Sequence, residues 1–338
     1  TRYTELSELD FMHGHTDFFQ GYILTAGSYL PETPAQLLPA DDDSVAPTEF
    51  SPLSLEYLEK IRDLCEEKDI DLVFFKTPLD CSTENWLGAY KTICAWAEQS
   101  GIPYIDFNLQ STAEEIQLDY TTDLYDINHT TFKGAEKVSA YLGEYLWEHY
   151  QLPDRRGDPE YQYLDGLLEE YNRKKHNKNF WYAQNLEDYL DMLQADKTGY
   201  TVIISAGDEA TSGFDAQLQN KLAEMGFQSR FAGGDAYGKS FIGVWQDGEV
   251  IHETMSVGND NPERDALELR GTLPDGMKYY VKSAGYNVGN ESSIVIDGAE
   301  ESVNGRGLNI VVYDSQFSQV ADSVCFDTYL DAGITWTR

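Results

Sequence analysis

The sequence predicts a protein of the α/β class with two domains: an α/β domain built on a parallel sheet, followed by an α+β domain with antiparallel sheets. Its 338 residues are enough for two domains of ordinary size. Helical and strand patterns alternate between residues 51 and 175, and this alternation favours a parallel sheet. After residue 200, short alternating segments are separated by Gly, Asp and Asn turns, which is typical of antiparallel strands.

The first part of the chain predicts three helices and two strands in alternating order. These are a helix that begins at Ser51-Pro52, a buried strand at 72–75, a helix that ends before Gly101, a strand at 104–107 and a helix at 131–150. The apolar face of the first helix is formed by Leu55, Leu58, Ile61, Leu64 and Cys65.

The second part predicts two helices and a series of short strands. The helices cover about 185–195 and 213–225, on either side of a strand at 200–205. Further strands are predicted at 240–245, 279–283, 293–296, 308–313 and 323–326. Asp247-Gly248 lies between two apolar runs, and this dipeptide favours a tight β-hairpin.

Two polar segments interrupt the predicted helices and strands, and the second of them marks the boundary between the domains. Residues 31–50, with four prolines and three consecutive aspartates, predict an acidic loop. The basic cluster at 173–178 is interpreted as the start of a linker rather than as a binding site. We therefore expect a first domain at 1–175, a linker at 176–183 and a second domain at 184–338.

The charge of the chain excludes several classes of partner. It carries 24 basic and 59 acidic side chains, a formal net charge of −35, and both halves are acidic. Nucleic acids and anionic membranes bind basic surfaces, so we expect neither partner. The sequence has no apolar run of about 18 residues. His13 and His15 have no third ligand at a suitable spacing, so we expect no metal ion and no organic cofactor.

The most informative motif is Asp126-Ile127-Asn128-His129, which precedes a helix. In parallel sheets, ligand sites lie at the carboxyl ends of the strands, here residues 76–82, 108–111 and the loop before 131. An aspartate three residues before a histidine is the arrangement of a hydrolase base and the acid that orients it. The alternative is structural: Asp126 caps the helix and His129 packs at its entrance.

Three segments, SLEYLEKIRDLCEEKDIDLVFFKTP, ICAWAEQSGIPYIDFN and DLYDINHTTFKGAEKVSAYLGEYL, resemble the C-terminal half of SGNH/GDSL-type hydrolases. The similarity covers about residues 1–172 and is greatest to the bacterial membrane-anchored branch related to D-alanyl-lipoteichoic-acid and alginate acetylation proteins. It implies a three-layer α/β/α domain in which Asp126 and His129 are the acid and base of a Ser-His-Asp triad.

The chain departs from this family at the nucleophile. The family's Gly-Asp-Ser or Gly-Ser-Ser block, which precedes the aspartate and histidine by a long stretch, has no counterpart here. Ser28 follows an apolar run but lies too close to His129 along the chain to match it. We therefore expect an incomplete domain without its N-terminal nucleophile block, derived from a longer surface-anchored parent and inactive by itself.

The second part is similar to another family. RGLNIVVYDSQFSQVADSVCFDTY, YYVKSAGYNVGNESSIVIDG and YTVIISAGDEATSGFDAQLQNKLAEMGF resemble the interleukin-like epithelial–mesenchymal-transition inducer domain. Residues 184–256 match the second half of that domain and residues 278–330 the first half, so the order is circularly permuted. Permutation is tolerated where the natural termini lie close together.

The second resemblance implies a sugar-binding module and suggests which residues contact the sugar. Arg306 and the Asp208-Glu209 pair are the implied polar contacts. The family's further arginine is replaced by Gly238, and Lys239 is a candidate substitute. The alternatives are structural: a helix N-terminus for Asp208 and Glu209, and a salt bridge for Arg306.

Together, the two resemblances imply modification or recognition of cell-surface or host glycans outside the cytoplasm. The leading interpretation is an acyl esterase or acyltransferase scaffold with a carbohydrate-binding domain. The alternative is a surface protein without catalytic activity that binds carbohydrate or protein and has a degenerate hydrolase domain. Neither the glycan nor the oligomeric state is specified by the sequence.

Overall fold

The computed structural model describes residues 18–19, 22–29, 46–80, 84–329 and 335–338. It is of mixed α/β class with several antiparallel sheets, as the sequence predicts. The chain divides into two compact units, Thr1–Lys175 and His176–Arg338. Within the described residues, none of the helices has the length and hydropathy of a membrane span.

The first unit alternates helices with short strands. Its elements are β1 (Phe18–Phe19), β2 (Tyr22–Ile23), α1 (Pro52–Lys68), β3 (Phe74–Lys76), α2 (Glu84–Gln99), β4 (Tyr104–Asp106), α3 (Gln110–Glu115), α4 (Tyr120–Asp123), α5 (Phe132–Tyr150) and α6 (Tyr163–Lys178). Strands β1 and β2 are antiparallel. Strands β3 and β4 are parallel, with Phe75 opposite Ile105. The predicted parallel pairing is therefore confirmed.

Helices contact both faces of this parallel pair. Phe74 stacks on Trp96 of α2, with ring centres 6.0 Å apart. Ile105 lies in a buried cluster with Phe107 and with Val138 of α5. Because neighbouring residues of a strand point to opposite faces, α2 and α5 lie on opposite sides of the two strands.

Two predictions for the first unit are wrong in detail. Strand β3 begins at Phe74 rather than at residue 72, and Phe75, expected to be buried, is 51% exposed. Helix α1 is capped by the side chain of Ser51, as the Ser-Pro start predicts, but none of its residues is buried. Ile61 and Leu64, which the prediction assigned to the apolar face, are exposed. Apolar spacing identifies a helix but does not determine what covers its apolar face.

The second unit contains two antiparallel sheets in the described part of the chain. Its elements after α6 are a 3-10 turn (Asn179–Tyr182), α7 (Leu186–Ala195), β5 (Tyr200–Gly207), α8 (Ala216–Glu224), β6 (Phe241–Gln246), β7 (Glu249–Met255), α9 (Pro262–Asp265), β8 (Leu267–Thr272), β9 (Lys278–Ala284), β10 (Glu291–Ile296), β11 (Ala299–Glu300), β12 (Gly307–Asp314), β13 (Gln319–Asp327) and β14 (Thr335–Thr337). The larger sheet has the order β14-β13-β12-β5-β6-β7, and the smaller has the order β11-β10-β9-β8. Every neighbouring pair is antiparallel, as predicted.

Strand β5 lies inside the larger sheet, and all eight of its residues are buried. Val202, Ile204 and Ala206 belong to a buried cluster that includes side chains of α7 and α8. Ile203 points to the opposite face and belongs to a second cluster, which includes Val281 of the smaller sheet. The second unit therefore has three layers: helices, the larger sheet and the smaller sheet.

Residues 176–182 of the predicted linker are helical. Helix α6 continues to Lys178, and the 3-10 turn follows at once. Asn177 is buried, and its side-chain amide donates a hydrogen bond to the Asp314 carboxylate at 3.0 Å. Phe180 is buried in the cluster on the helix side of the larger sheet. The basic residues suggested a solvated segment, whereas Asn177 and Phe180 anchor this segment in the second unit.

The predicted hairpin is confirmed. Strands β6 and β7 pair with Gln246 opposite Glu249. Asp247 and Gly248 between them have φ values of 49° and 92°, and two-residue hairpin turns of this type require positive φ at both positions. Strand β8 was not predicted, because it is at the edge of its sheet and none of its residues is buried. The remaining predicted loop at 31–50 lies largely outside the described residues.

A buried hydroxyl on β9 joins the two sheets and allows the fold to be tested. Ser283 Oγ donates a hydrogen bond to the Ala206 carbonyl at 2.6 Å and accepts one from the Phe241 amide at 2.9 Å. We expect Ser283→Ala to lower the free energy of unfolding of the second unit by about 1–3 kcal/mol, because the two backbone groups lose a buried partner. Denaturant unfolding followed by circular dichroism measures the change.

Ser315→Ala is the matched control for this prediction. Ser315 Oγ is buried and has no hydrogen-bond partner among the described residues. Its removal is therefore expected to leave the free energy of unfolding unchanged or to raise it. Equal destabilisation by Ser283→Ala and Ser315→Ala would contradict the assigned hydrogen bonds.

Candidate functional sites

The first unit brings Asp126 and His129 together. His129 Nδ1 lies 2.9 Å from both carboxylate oxygens of Asp126. The His129 side chain is 71% exposed and the Asp126 side chain 45% exposed. An aspartate that holds one imidazole nitrogen while the ring remains open to solvent is the arrangement of an orienting acid and a general base.

The loop before α5 creates this geometry. The Tyr125 amide donates a hydrogen bond to the His129 carbonyl at 2.8 Å, which closes the turn. Asp126 Oδ1 accepts hydrogen bonds from the amides of Asn128 and His129. Helix α5 is capped by the side chain of Thr131, not by Asp126. Both parts of the structural alternative are therefore wrong: Asp126 does not cap the helix, and His129 is not packed at its entrance.

These hydrogen bonds determine the charge state of Asp126. Its slight burial raises the pKa, but the hydrogen bonds from the Asn128 amide and from the side chain and amide of His129 outweigh this effect. The pKa of Asp126 therefore lies below its ordinary value, so the carboxylate is ionised at neutral pH and can stabilise a protonated imidazole.

Other polar groups follow the ends of β3 and β4, as the topology predicts. The Tyr29 hydroxyl donates a hydrogen bond to Asp80 at 2.8 Å, and the Asp80 amide donates one to the Ile127 carbonyl. Partial burial, followed by the hydrogen bond and charge of Asp80 and the charge of Asp126, raises the pKa of Tyr29. Asn108, fully buried, accepts a hydrogen bond from the Leu79 amide. The carboxyl ends of the two strands thus lie beside the loop that carries His129.

Ser28 does not complete a triad in the described residues. Its side chain is exposed, and the structure contains no hydrogen bond between Ser28 and His129. The preceding Gly27 approaches the Tyr125 ring, where an added Cβ would lie 3.3 Å from the ring. The first unit therefore pairs an aspartate with an accessible histidine, and Ser28 has no hydrogen bond to this histidine.

In the second unit, Glu209 is a structural residue, which corrects its assignment as a sugar contact. It is 1% exposed. One carboxylate oxygen accepts hydrogen bonds from the amide and hydroxyl of Thr211 and from the Ser212 amide, and the other accepts one from the Gly238 amide. The alternative of a helix N-terminus is also wrong, because α8 begins at Ala216. Glu209 therefore joins two loops and is inaccessible to a ligand.

Asp208 and Lys239 lie next to these two loops. Asp208 has a φ of 56°, and its carbonyl accepts a hydrogen bond from the Tyr286 amide at 2.8 Å. Gly238 has a φ of 65°, and an added Cβ would lie 2.8 Å from the side-chain nitrogen of Asn259. The positive φ and these close contacts favour glycine at position 238. Lys239, which follows it, is half-buried.

Arg306 takes part in the salt bridge that was its structural alternative. Its guanidinium donates hydrogen bonds to both carboxylate oxygens of Asp327, at 3.0 and 2.6 Å. Its Cζ also lies 4.5 Å from the centre of the Tyr329 ring. The hydrogen bonds that Arg306 donates to Asp327, and the nearby charges of Asp327 and Asp208, raise the pKa of Arg306 against the opposing effect of burial. Arg306 therefore supports Tyr329 rather than presenting an unpaired charge.

A groove of about 510 Å³ lies beside these residues. It is lined by the rings of Phe214, Tyr237 and Tyr329, by the hydroxyl residues Thr211 and Ser212, and by Gly233-Gly234. Tyr237 is 44% exposed and Tyr329 is 38% exposed. The groove thus combines solvent-accessible aromatic rings with hydroxyl groups in one concavity.

Hydrogen bonds fix the shape of this groove. The Thr328 hydroxyl donates to the Ala210 carbonyl at 2.7 Å, and the Gly213 amide donates to the Thr328 carbonyl at 2.7 Å. Phe214 stacks on Phe231, with ring centres 4.8 Å apart. Thr328 therefore attaches the segment that carries Tyr329 to the loop at 210–213. Glu209 binds the same loop through Thr211 and Ser212.

The residues predicted from the sequence are neighbours of the groove and not the residues that line it. Asp208, Glu209 and Arg306 contact or lie next to lining residues, whereas Tyr237 and Tyr329 were not singled out. One signal was available: Tyr237 directly precedes Gly238, and Tyr329 follows Asp327 by two positions, so each tyrosine stands near a residue that is typical of turns.

No group of three or more metal-binding side chains is found in the described part of the chain. His13 and His15 lie outside it. Comparison of the chain with protein-family models, with curated proteins and with solved structures gives no match.

The role of Glu209 can be tested by removing its charge. We expect Glu209→Gln to destabilise the second unit by about 2 kcal/mol or more, because a side-chain NH₂ group then faces backbone amides that need an acceptor. Asp208→Asn is the matched control, since asparagine tolerates the positive φ and the change is expected to cost less than about 0.5 kcal/mol. Thermal unfolding of both variants measures the difference, and an equal effect would refute the joining role of Glu209.

Proposed function

We propose that this chain binds a carbohydrate in the groove of its second unit. The observation that carries the proposal is that two accessible tyrosine rings, Tyr237 and Tyr329, line one groove together with the hydroxyl residues Thr211 and Ser212. The C–H face of a sugar ring packs against an aromatic ring, and its hydroxyls need hydrogen-bond partners. The groove provides both kinds of contact.

The groove is formed before the ligand arrives, which favours affinity because little conformational entropy is lost on binding. Glu209 fixes the loop at Thr211-Ser212, and Thr328 fixes the segment before Tyr329. In this proposal Arg306 is a positioning residue for the Tyr329 ring. Asp208 and Lys239 are the polar side chains at the edge of the site that contact sugar hydroxyls.

We also propose that the second unit is a permuted inducer-like domain. Its support is the continuity of the larger sheet across the two matched halves: β5–β7 come from 184–256, and β12 and β13 come from 278–330. Strand β12 pairs with β5 along all eight residues of each strand. Two segments that are distant in the sequence therefore belong to one sheet, as the proposed permutation requires.

For the first unit, we propose an incomplete SGNH-like α/β/α domain. Its support is the parallel β3–β4 pair with α2 and α5 on opposite faces, and the position of His129 beside the carboxyl ends of these strands. The Asp126–His129 pair is then the acid and base of an ester hydrolase or acyltransferase, a second candidate function. In this proposal the substrate is a cell-surface or host glycan, outside the cytoplasm.

The carbohydrate site predicts specific losses on a glycan array. We expect Tyr237→Ala and Tyr329→Ala each to reduce binding at least about tenfold, because each removes one aromatic surface from the groove. Tyr237→Phe is expected to retain most binding, since it keeps the ring. Tyr57→Ala, on exposed α1 of the first unit, is the control and should change nothing. Full binding by both groove variants would exclude this groove as the site.

The second candidate function predicts a different result in an ester-hydrolysis assay. The chain by itself is expected to be inactive, because the described residues do not provide a nucleophile at His129. Ser28→Ala is therefore expected to have no effect. In a longer product of the same gene that supplies the serine, activity is expected and His129→Ala should abolish it. Activity of this chain that disappears in Ser28→Ala would instead identify Ser28 as the nucleophile.

A further inference from the structure

The side chains around the groove are mostly acidic. Asp208 and Asp327 both lie close enough to Arg306 to raise its pKa, and Asp235 is exposed directly after Gly234 of the groove wall. The charge of Arg306 is compensated by its two hydrogen bonds to Asp327. None of the described lining residues is cationic. Lys239 lies at the edge of the site, but the described wall carries no cation, so an acidic ligand would meet mainly carboxylates around the groove.

The aromatic rings of the groove are suited to a cation. Arg306 Cζ lies 4.5 Å from the centre of the Tyr329 ring, so this ring already accepts a positive charge on one face. Tyr237 meets Tyr286 edge to face, with centres 6.1 Å apart and an angle of 71° between the rings. The Tyr286 ring is 43% exposed and supports Tyr237 at the groove. The electron-rich faces of such rings attract ammonium groups.

The carboxylates near Tyr237 also favour a positive charge at the groove. Burial of its hydroxyl is the largest cause that raises its pKa, and Glu209, Tyr329, Tyr286 and Asp208 raise it further. Of these neighbours, the carboxylates of Glu209 and Asp208 disfavour an additional negative charge near Tyr237 and favour a positive charge there.

We infer that the groove prefers a glycan that carries a protonated amine, an unacetylated amino sugar, over the neutral N-acetylated sugar and over acidic sugars. This inference rests on the proposed carbohydrate site and adds the charge class of its ligand. The ammonium group lies against the faces of Tyr237 and Tyr329, within the field of Asp208. The sugar hydroxyls pair with Thr211 and Ser212, whose positions Glu209 fixes.

The test compares the binding of two disaccharides that differ only in the acetylation of their amines. The probes are the β-linked disaccharide of glucosamine and the same disaccharide fully N-acetylated, titrated by calorimetry at about pH 6, where the amine is protonated and carboxylates are ionised. We expect the amine form to bind at least about tenfold more tightly at low salt, because its charge adds cation–π and Coulomb attraction. The preference should decrease with added salt.

An acidic protein attracts amines even without a specific site, so the variants must separate this unspecific attraction from binding in the groove. Tyr237→Leu and Tyr329→Leu leave the net charge unchanged and are expected to remove the tight binding of the amine form. Asp208→Asn keeps a hydrogen-bonding side chain but removes the charge, so it should weaken the amine form several-fold more than the N-acetylated form. Glu249→Gln is the charge-matched control at the far end of β6 and β7, and it should change neither. Thermal unfolding verifies that each variant is folded.

The outcomes are distinct for the two proposals. Tighter binding of the amine form that depends on both tyrosines supports the inference. Equal or tighter binding of the N-acetylated form overturns the amine preference but keeps the carbohydrate site. Amine binding that persists in both leucine variants overturns the inference, because it identifies unspecific attraction. Absence of binding by both disaccharides and of any signal on the glycan array overturns the inference together with the proposed function.

Discussion

The complete burial of β5 is the constraint on which the second unit depends. This strand contacts helices α7 and α8 through one face and the smaller sheet through the other, so every one of its residues has to fit a packed layer. It also pairs with β12 and β6, which places the two distant parts of the sequence in one sheet. At its end, β5 leads directly into Asp208 and Glu209. The position of the groove is therefore determined by a fully buried strand of the unit.

The end of this strand is crowded, and glycine is required there. Gly307 of β12 lies opposite Gly207 of β5, and a Cβ at Gly307 would lie 2.0 Å from the Phe326 carbonyl oxygen. This close approach sets the position of Arg306, which precedes Gly307 and contacts the Tyr329 ring. A buried carboxylate, Glu209, then joins the loops on either side of the groove. A ligand site on loops gains its rigidity from such contacts with the layers beneath it.

The class of the fold and most elements of the second unit could be predicted from the sequence, because β-branched runs, turn residues and helical spacing are local signals. Asp126 and His129 could be found for the same reason, since they lie three positions apart in one loop and the loop itself determines their contact. Glu209 and Phe75 could not be placed correctly, because their burial depends on residues that are distant in the sequence. Tyr237 and Tyr329 were missed because 92 positions separate them along the chain, and only the fold brings them to one groove.

The two candidate sites differ in what they require. The Asp126–His129 pair needs a nucleophile to do chemistry, whereas the groove needs nothing further to bind a ligand. Amide NMR titration of the chain with the glucosamine disaccharide therefore tests the central claim most directly. Binding in the groove predicts changes in the amide chemical shifts of residues 211–214, 233–237 and 329 of the second unit. Changes confined to residues 76–80 and 126–129, or no changes at saturating ligand, would contradict it.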